Sequence, residues 1–235
     1  MTKKPLTPED LVIGSFTPLT TIDYPGELSA VIFLQGCPWR CRYCQNADLL
    51  PRRSHQRIDW STIIQRLQRR RGLLDAVVFS GGEPTLQPAL IPAIEEVRAL
   101  GFKIGLHSAG IYPQRLQKIL PLIDWIGLDI KAAKSLYPAI TDVSESGQRA
   151  WRSAQLVIDS GVDHEIRTTV HAALLDDAQW LQTCRELQTI GAQRVVIQPC
   201  RAGRCLDPQL EMASSPLSPH LMESIQHEFT HFSFR

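Results

Sequence analysis

This sequence has no long apolar run, no excess of charge of either sign, no internal repeat and no low-complexity tract, and each absence removes a class of protein. The longest uninterrupted apolar stretches, such as Ala30 to Leu34, fall far short of the roughly 18 residues that cross a bilayer, so no membrane span is expected. Twenty-five Lys and Arg against 24 Asp and Glu leave a formal charge of +1, which argues against a nucleic-acid-coating or membrane-surface protein. The basic run Arg69-Arg70-Arg71 reads as a solvated helix end. Lys3 and Lys4 are followed by Pro5, Thr7, Pro8, Glu9 and Asp10 where a secretory leader needs an apolar core, so the expected location is cytoplasmic.

What is present is 235 residues, 43% hydrophobic and 21% charged, enough for one globular domain with a sizeable core. Apolar runs rich in Val and Ile alternate with stretches of helical period, the pattern of βα units on a parallel sheet. Six strands are predicted: Leu28 to Leu34, Ala76 to Phe79, Lys103 to His107, Trp125 to Ile130, His164 to Val170 and Arg194 to Ile197. Between and after them come helical patterns over Asp59 to Arg71, Pro88 to Gly101, Tyr112 to Leu120, Gln148 to Asp159, Asp177 to Ile190 and Pro219 to Phe229. In the first of these Trp60, Ile63, Ile64 and Leu67 share a face, with Asp59 as N-cap and Gly72 as the stop. Only Ala213 to Pro219 reads as an evident loop. Six units are too few for a closed eight-stranded barrel of about 250 residues, so the expected α/β fold is a partial, open (βα)6 TIM-like barrel. A Rossmann-like open sheet is the alternative. The domain division is 1–27 as an N-terminal extension with a substrate-side loop and 28–235 as the core. Function should gather at the carboxyl ends of the strands.

The first strand runs into Gly36-Cys37-Pro38-Trp39-Arg40-Cys41-Arg42-Tyr43-Cys44-Gln45-Asn46, so three thiols converge on one loop. In a chain expected to be cytosolic, such a cluster points to metal or catalysis rather than to disulfides. Thiolates suit iron–sulfur clusters and zinc, but a structural zinc site needs four ligands. His55 lies eleven residues past Cys44, and Cys184, Cys200 and Cys205 belong to later units, so no fourth ligand is at hand. Three ligands on a four-iron cubane leave one iron open for chemistry. Three thiols that merely pack is the bland alternative, but a loop with Pro38, Arg40 and Arg42 is not expected to be buried.

The Cys-x3-Cys-x2-Cys loop after the first strand, with Tyr43 just before its last cysteine, resembles the radical S-adenosylmethionine superfamily over most of the chain. The resemblance implies one [4Fe–4S] cluster on Cys37, Cys41 and Cys44, with S-adenosylmethionine chelating the open iron and Tyr43 packing on its adenine. Ser80-Gly81-Gly82-Glu83-Pro84, at the end of the second strand, is similar to the motif for the cofactor's amino group, which implies roles for Gly81, Gly82 and Glu83. Two glycines permit a close backbone approach, and carbonyls with a carboxylate suit an ammonium. Asp129 and Lys131 stand two residues apart and share a strand face, similar to the Asp-x-Lys that contacts the cofactor in glycyl-radical activating enzymes. His107-Ser108 departs from the activase pattern, so Ser108 is not assigned a cofactor contact.

Other polar residues are open at this point. Arg167, mid-strand and facing inward, needs an anion, either from the cofactor pocket or from Glu165 on the same strand face. His171 either meets the cofactor or sits on a solvated loop, the loop being the expectation, and Gln198 and Cys200 end the sixth strand. Cys184, Cys200 and Cys205 show no second dense run, and unligated thiols are expected there.

Upstream, Asp23-Tyr24-Pro25-Gly26 leads into Phe33-Leu34-Gln35-Gly36-Cys37, and Cys44-Gln45-Asn46 follows. This run resembles glycyl-radical activating enzymes, and its Tyr24 version most resembles the activating proteins of anaerobic ribonucleoside-triphosphate reductase. The resemblance implies a radical oxidoreductase whose substrate is a glycine of that reductase, with Asp23 facing the protein substrate and no separate catalytic acid or base. A flavodoxin or ferredoxin would donate the electron, and neither nucleic acid nor membrane is an expected partner. The alternatives are an activase of a pyruvate formate-lyase-like protein, a radical enzyme of small molecules, or a non-catalytic zinc or iron–sulfur scaffold.

Overall fold

The computed structural model describes residues 5–53, 57–201, 203, 205–210, 218, 223, 225 and 229–234. Among the described residues there are eight strands, β1 Ile13–Thr20, β2 Ser29–Leu34, β3 Ala76–Gly81, β4 Lys103–Ser108, β5 Trp125–Asp129, β6 Asp163–Val170, β7 Arg194–Pro199 and β8 His231–Phe234. They follow one another in a single open sheet in chain order. The α-helices among the described residues include α1 Trp60–Gln68, α2 Leu90–Ala99, α3 Pro113–Ile119, α4 Tyr137–Thr141, α5 Ser146–Ser160 and α6 Asp177–Thr189. The α/β class and the unclosed, mostly parallel sheet agree with the expected partial, open TIM-like barrel. Among the described residues no helix is long and apolar enough to cross a membrane.

Backbone contacts divide the chain into two compact units, 1–38 with 48–108 and 114–126, and 39–47 with 109–113 and 127–235. In the first unit β2 and β3 pair in parallel from Ser29↔Ala76 to Leu34↔Gly81, and β3 continues onto β4. All but the last residue of β3, and nearly all of β2, are buried, as the continuous apolar runs require of a sheet covered on both faces. Helix α1 buries the foreseen stripe of Trp60, Ile63, Ile64 and Leu67, and Trp60 Nε1 donates to Glu96 Oε2 at 2.8 Å. Each such side chain contributes about 1.5–3 kcal/mol by leaving water. Asp59 is the N-cap by backbone conformation, with φ −70° and ψ 140°.

The structure corrects the strand count from six to eight. Residues 13–20, expected within an extension, form β1, which pairs antiparallel with β2 through two register irregularities. Its polar composition hid it: Gly14, Ser15, Thr17, Pro18 and Thr20 dilute the apolar alternation, and proline is tolerated on an edge strand. At the other edge the short β8 pairs in parallel with β7.

In the second unit β6 and β7 pair in parallel from Ile166↔Val195 to Val170↔Pro199. Helix α5 ends at Gly161, whose φ of +72° is the left-handed conformation typical of a helix stop. Helix α6 opens with a capping box in which the Asp176 carboxylate accepts from Gln179 N and Gln179 Oε1 accepts from Asp176 N. Helix α4 was not foreseen, being only five residues long with Pro138 in its first turn. The predicted helix Pro219 to Phe229 lies outside the described residues except at 223, 225 and 229. So do His55 and, apart from Ser218, the loop Ala213 to Pro219.

Candidate active site

The end of β3 brings the chain into contact with itself where a side chain would not fit. A Cβ on Gly81 would collide with the backbone of Leu34, and one on Gly82 with the carbonyl of Gly36. Glu83 N donates to that same Gly36 carbonyl at 2.9 Å, so the glycine turn is bonded to the residue just before Cys37. Glu83 itself is fully buried. Its Oε1 accepts from Thr85 N at 3.0 Å, Thr85 Oγ1 at 2.6 Å and Ser108 Oγ at 2.9 Å. Three donors on one oxygen fix the carboxylate's orientation. Ser108 thus belongs to this cluster as a positioning residue. The sequence signal for it was its place at the end of the neighbouring strand β4.

The turn at residues 23–26 is anchored in the same unit. The Tyr24 ring stacks on Trp125 at 5.1 Å between centroids, and both belong to a buried cluster with Val31, Ala76 and Val78. His107 bridges two levels, with Nδ1 3.2 Å from Ser80 Oγ and Nε2 2.8 Å from the Asp23 carbonyl. The Asp23 carboxylate accepts from Thr20 Oγ1 at 2.6 Å and is half-buried.

Cys37 falls in the first unit, while Cys41 and Cys44 fall in the second. None of the six cysteines forms a disulfide. Pro38 and Arg40 are exposed and Arg42 is half-exposed, as expected of this loop, but Trp39, Cys41 and Tyr43, which alternate with them, are buried. Arg40 N donates to Thr141 O and Arg42 N to Ile140 O, which hooks the loop to the end of α4 and turns alternate side chains inward. Trp39 meets Tyr137 edge to face at 5.8 Å, and Tyr137 Oη accepts from Lys131 N at 2.9 Å. Burial raises the Cys41 thiol's pKa, partly offset by the Lys131 charge.

Asp129 is the hub of the second unit. Arg167 Nε donates to Asp129 Oδ1 at 3.0 Å, Arg167 Nη2 donates to the Gly127 carbonyl at 3.3 Å, and Lys131 Nζ stands 3.9 Å from Asp129 Oδ2. The anion that Arg167 meets is therefore Asp129 on the preceding strand rather than Glu165. Lys131 Nζ also lies over the Tyr43 ring, 5.5 Å from its centroid. Burial works against the Lys131 ammonium, yet the negative forms of Tyr43, Cys41 and Asp129 prevail and hold its pKa above the usual lysine range. Tyr43 Oη is buried with no hydrogen-bond partner among the described residues, and burial raises its pKa. His171 is buried rather than solvated, with Nε2 3.3 Å from the Leu210 carbonyl and Nδ1 accepting from Ala173 N at 3.2 Å.

These observations fit the groups that the sequence resemblance implies. Cys37 in the first unit and Cys41 and Cys44 in the second are soft donors outside any disulfide, and the buried Tyr43 hydroxyl has no hydrogen-bond partner among the described residues. Among the described residues no three His, Cys, Asp or Glu side chains group around a single metal ion.

Comparison with known proteins agrees with this chemistry. Residues 31–186 match the sequence pattern of the Radical SAM superfamily, and the chain belongs to that superfamily of enzymes. Within it, the chain is 31% identical over 175 residues to a Methanocaldococcus jannaschii protein named as a candidate glycyl-radical enzyme activating enzyme, covering 71% of each. It is 30% identical over 173 residues to the pyruvate formate-lyase-activating enzyme of Clostridium pasteurianum, again covering 71% of each. The chain is thus a radical SAM enzyme of the glycyl-radical activating kind. Among solved structures, QueE from Escherichia coli gives a TM-score of 0.59 at 15% identity, over 96% of this chain and 93% of that one. SuiB of Streptococcus suis bound to its precursor peptide SuiA gives 0.66 at 15% identity over 87% of this chain, which spans about half (48%) of SuiB. These two likenesses concern the fold alone.

Proposed function

We propose that this chain is the activating enzyme of an anaerobic ribonucleoside-triphosphate reductase, installing a glycyl radical on that protein. The choice of reductase is carried by Tyr24 in the Asp23-Tyr24-Pro25-Gly26 turn, the variant that most resembles those activators. Cys37, Cys41 and Cys44 are assigned to one [4Fe–4S] cluster. A [4Fe–4S] cluster and S-adenosylmethionine bound there would supply the one-electron radical chemistry needed to remove a glycine α-hydrogen. The chain's own part is placement. Gly81 and Gly82 let the turn close against the Leu34 and Gly36 backbone, and Glu83, held by Thr85 and Ser108, offers a fixed carboxylate to the cofactor's ammonium, with the two glycines assigned to the same end of the cofactor. Lys131 offers its cation to the cofactor's carboxylate, Asp129 serves the ribose while paired to Arg167, and Tyr43 packs on the adenine. Asp23 faces the protein substrate. A flavodoxin or ferredoxin is the proposed electron donor, and the cytoplasm the proposed location.

The likeness to the Clostridium pasteurianum enzyme favours a second reading, in which the substrate is a pyruvate formate-lyase-like protein. Anaerobic reconstitution with iron and sulfide, reduction and addition of S-adenosylmethionine tests the chemistry. The wild type should release 5′-deoxyadenosine and Cys41→Ala should not. Mixing with each candidate glycyl-radical enzyme then decides the substrate, since only the true partner gains a glycyl radical signal by electron paramagnetic resonance.

A further inference from the structure

Two thiols with no place in the proposed chemistry lie together in the second unit. Cys200 follows β7 and Cys205 comes five residues later, both are buried, and their sulfurs are 3.3 Å apart. Their surroundings are the cysteine loop itself. On one side Gln45, which directly follows Cys44, donates from Nε2 to the Arg201 carbonyl at 3.0 Å and approaches Cys200 Sγ at 3.9 Å. On the other side Arg42 Nε and Nη2 both reach Asp207 Oδ2 at 2.8 Å, and Asp207 N donates to the Arg42 carbonyl at 2.8 Å. Cys200 and Arg201 therefore hold the loop at Gln45 and Asp207 holds it at Arg42, with the thiol pair beside the first of these contacts.

We propose that Cys200 and Cys205 are a redox-modification site, a dithiol that closes to an intramolecular disulfide and thereby stiffens the grip on the Arg42–Gln45 loop. The sulfurs need approach by only about 1.3 Å to reach a bond length of about 2.05 Å. The oxidant is a small disulfide. One protein thiolate attacks it and expels the first small thiol. The second protein sulfur then displaces the remaining half, so that the protein S–S bond forms, the small S–S bond breaks, and two electrons and two protons leave on two small thiols. Burial, then the contact with Cys205, pushes the Cys200 thiol up to about 12, so at neutral pH it stays a protonated resting thiol. Cys184 is the internal control, being buried on α6 and outside this pair.

The test treats the reconstituted holoenzyme anaerobically with 2-hydroxyethyl disulfide, then alkylates, digests and weighs the peptides. A peptide linking Cys200 to Cys205, two mass units lighter than the dithiol and restored by dithiothreitol, is expected, with Cys184 still alkylatable. Amide hydrogen exchange in the peptide covering 39–46 should slow at least twofold on oxidation of the wild type and stay unchanged in Cys205→Ala. Both thiols remaining reduced would overturn the site. A disulfide without slowed exchange at 39–46 would overturn the coupling. Neither readout uses cofactor cleavage, so this inference stands or falls apart from the assigned function.

Discussion

Ser108 Oγ donates a 2.9 Å hydrogen bond to Glu83 Oε1, tying the end of β4 to the first side chain after the glycine turn of β3. Both groups are buried, so the bond sets a carboxylate that water cannot reorient.

Removing this donor should leave part of a buried carboxylate's hydrogen-bonding capacity unmet. Ser108→Ala is expected to lower stability by about 1–3 kcal/mol in urea unfolding. It should also weaken S-adenosylmethionine binding measured by calorimetry. Unchanged binding at reduced stability would confine Ser108 to a folding role.

Gly82 has no room for a methyl group because the Gly36 carbonyl occupies its place, and its backbone is not in the left-handed region. The obstacle is backbone, which cannot rotate away as a side chain would. Gly82→Ala should cost about 1–3 kcal/mol or more of stability and displace Glu83, with thermal unfolding as the measurement. A variant as stable as the wild type would show that the turn relaxes.

Tyr43 carries a buried hydroxyl with no partner among the described residues. Tyr43→Phe removes that cost, so the ligand-free protein should be as stable as the wild type or more so, by up to about 1–3 kcal/mol. Added S-adenosylmethionine should narrow or reverse the difference in melting temperature. Loss of stability without ligand would mean the hydroxyl is already engaged.

Asp207 provides a pH dependence. Its pKa is lowered by the hydrogen bond from Gln209 N and by Arg42, so the folded carboxyl holds its charge to lower pH than the unfolded one does. The resulting stabilisation is fully present above the ordinary carboxylate range and disappears as pH falls through the lowered value. The wild type should exceed Asp207→Asn in stability at pH 6, and the two denaturation curves should converge in strong acid. A gap that persists in acid would assign the effect to shape rather than charge.

Much of the architecture was legible because it rests on local pattern. The buried β2 and β3 read directly from continuous Val and Ile, and α1 from Trp60, Ile63, Ile64 and Leu67. Strand β1 was hidden because an edge strand needs few apolar residues. In the site, the cysteine spacing and the Gly81-Gly82-Glu83 turn were legible, since both are local. The partner of Arg167 was not, because period-two alternation tells which face a residue takes but not the register against the next strand. That register is set by Ile130 N donating to the Arg167 carbonyl at 2.9 Å, which brings Asp129 alongside. The burial of His171 and the contact of Cys200 with the cysteine loop were not legible for a similar reason: the Leu210 carbonyl and Gln45 come from distant sequence.

The grips on the cysteine loop also order events during synthesis. Arg42 waits for Asp207, 165 residues later, and Gln45 for Cys200, 155 residues later. At about 5–20 residues per second, the loop spends on the order of 10–30 s outside the ribosome before its clamp exists. Arg42 and Gln45 are therefore synthesised long before the residues that bond them, and the loop lacks these two contacts for that interval.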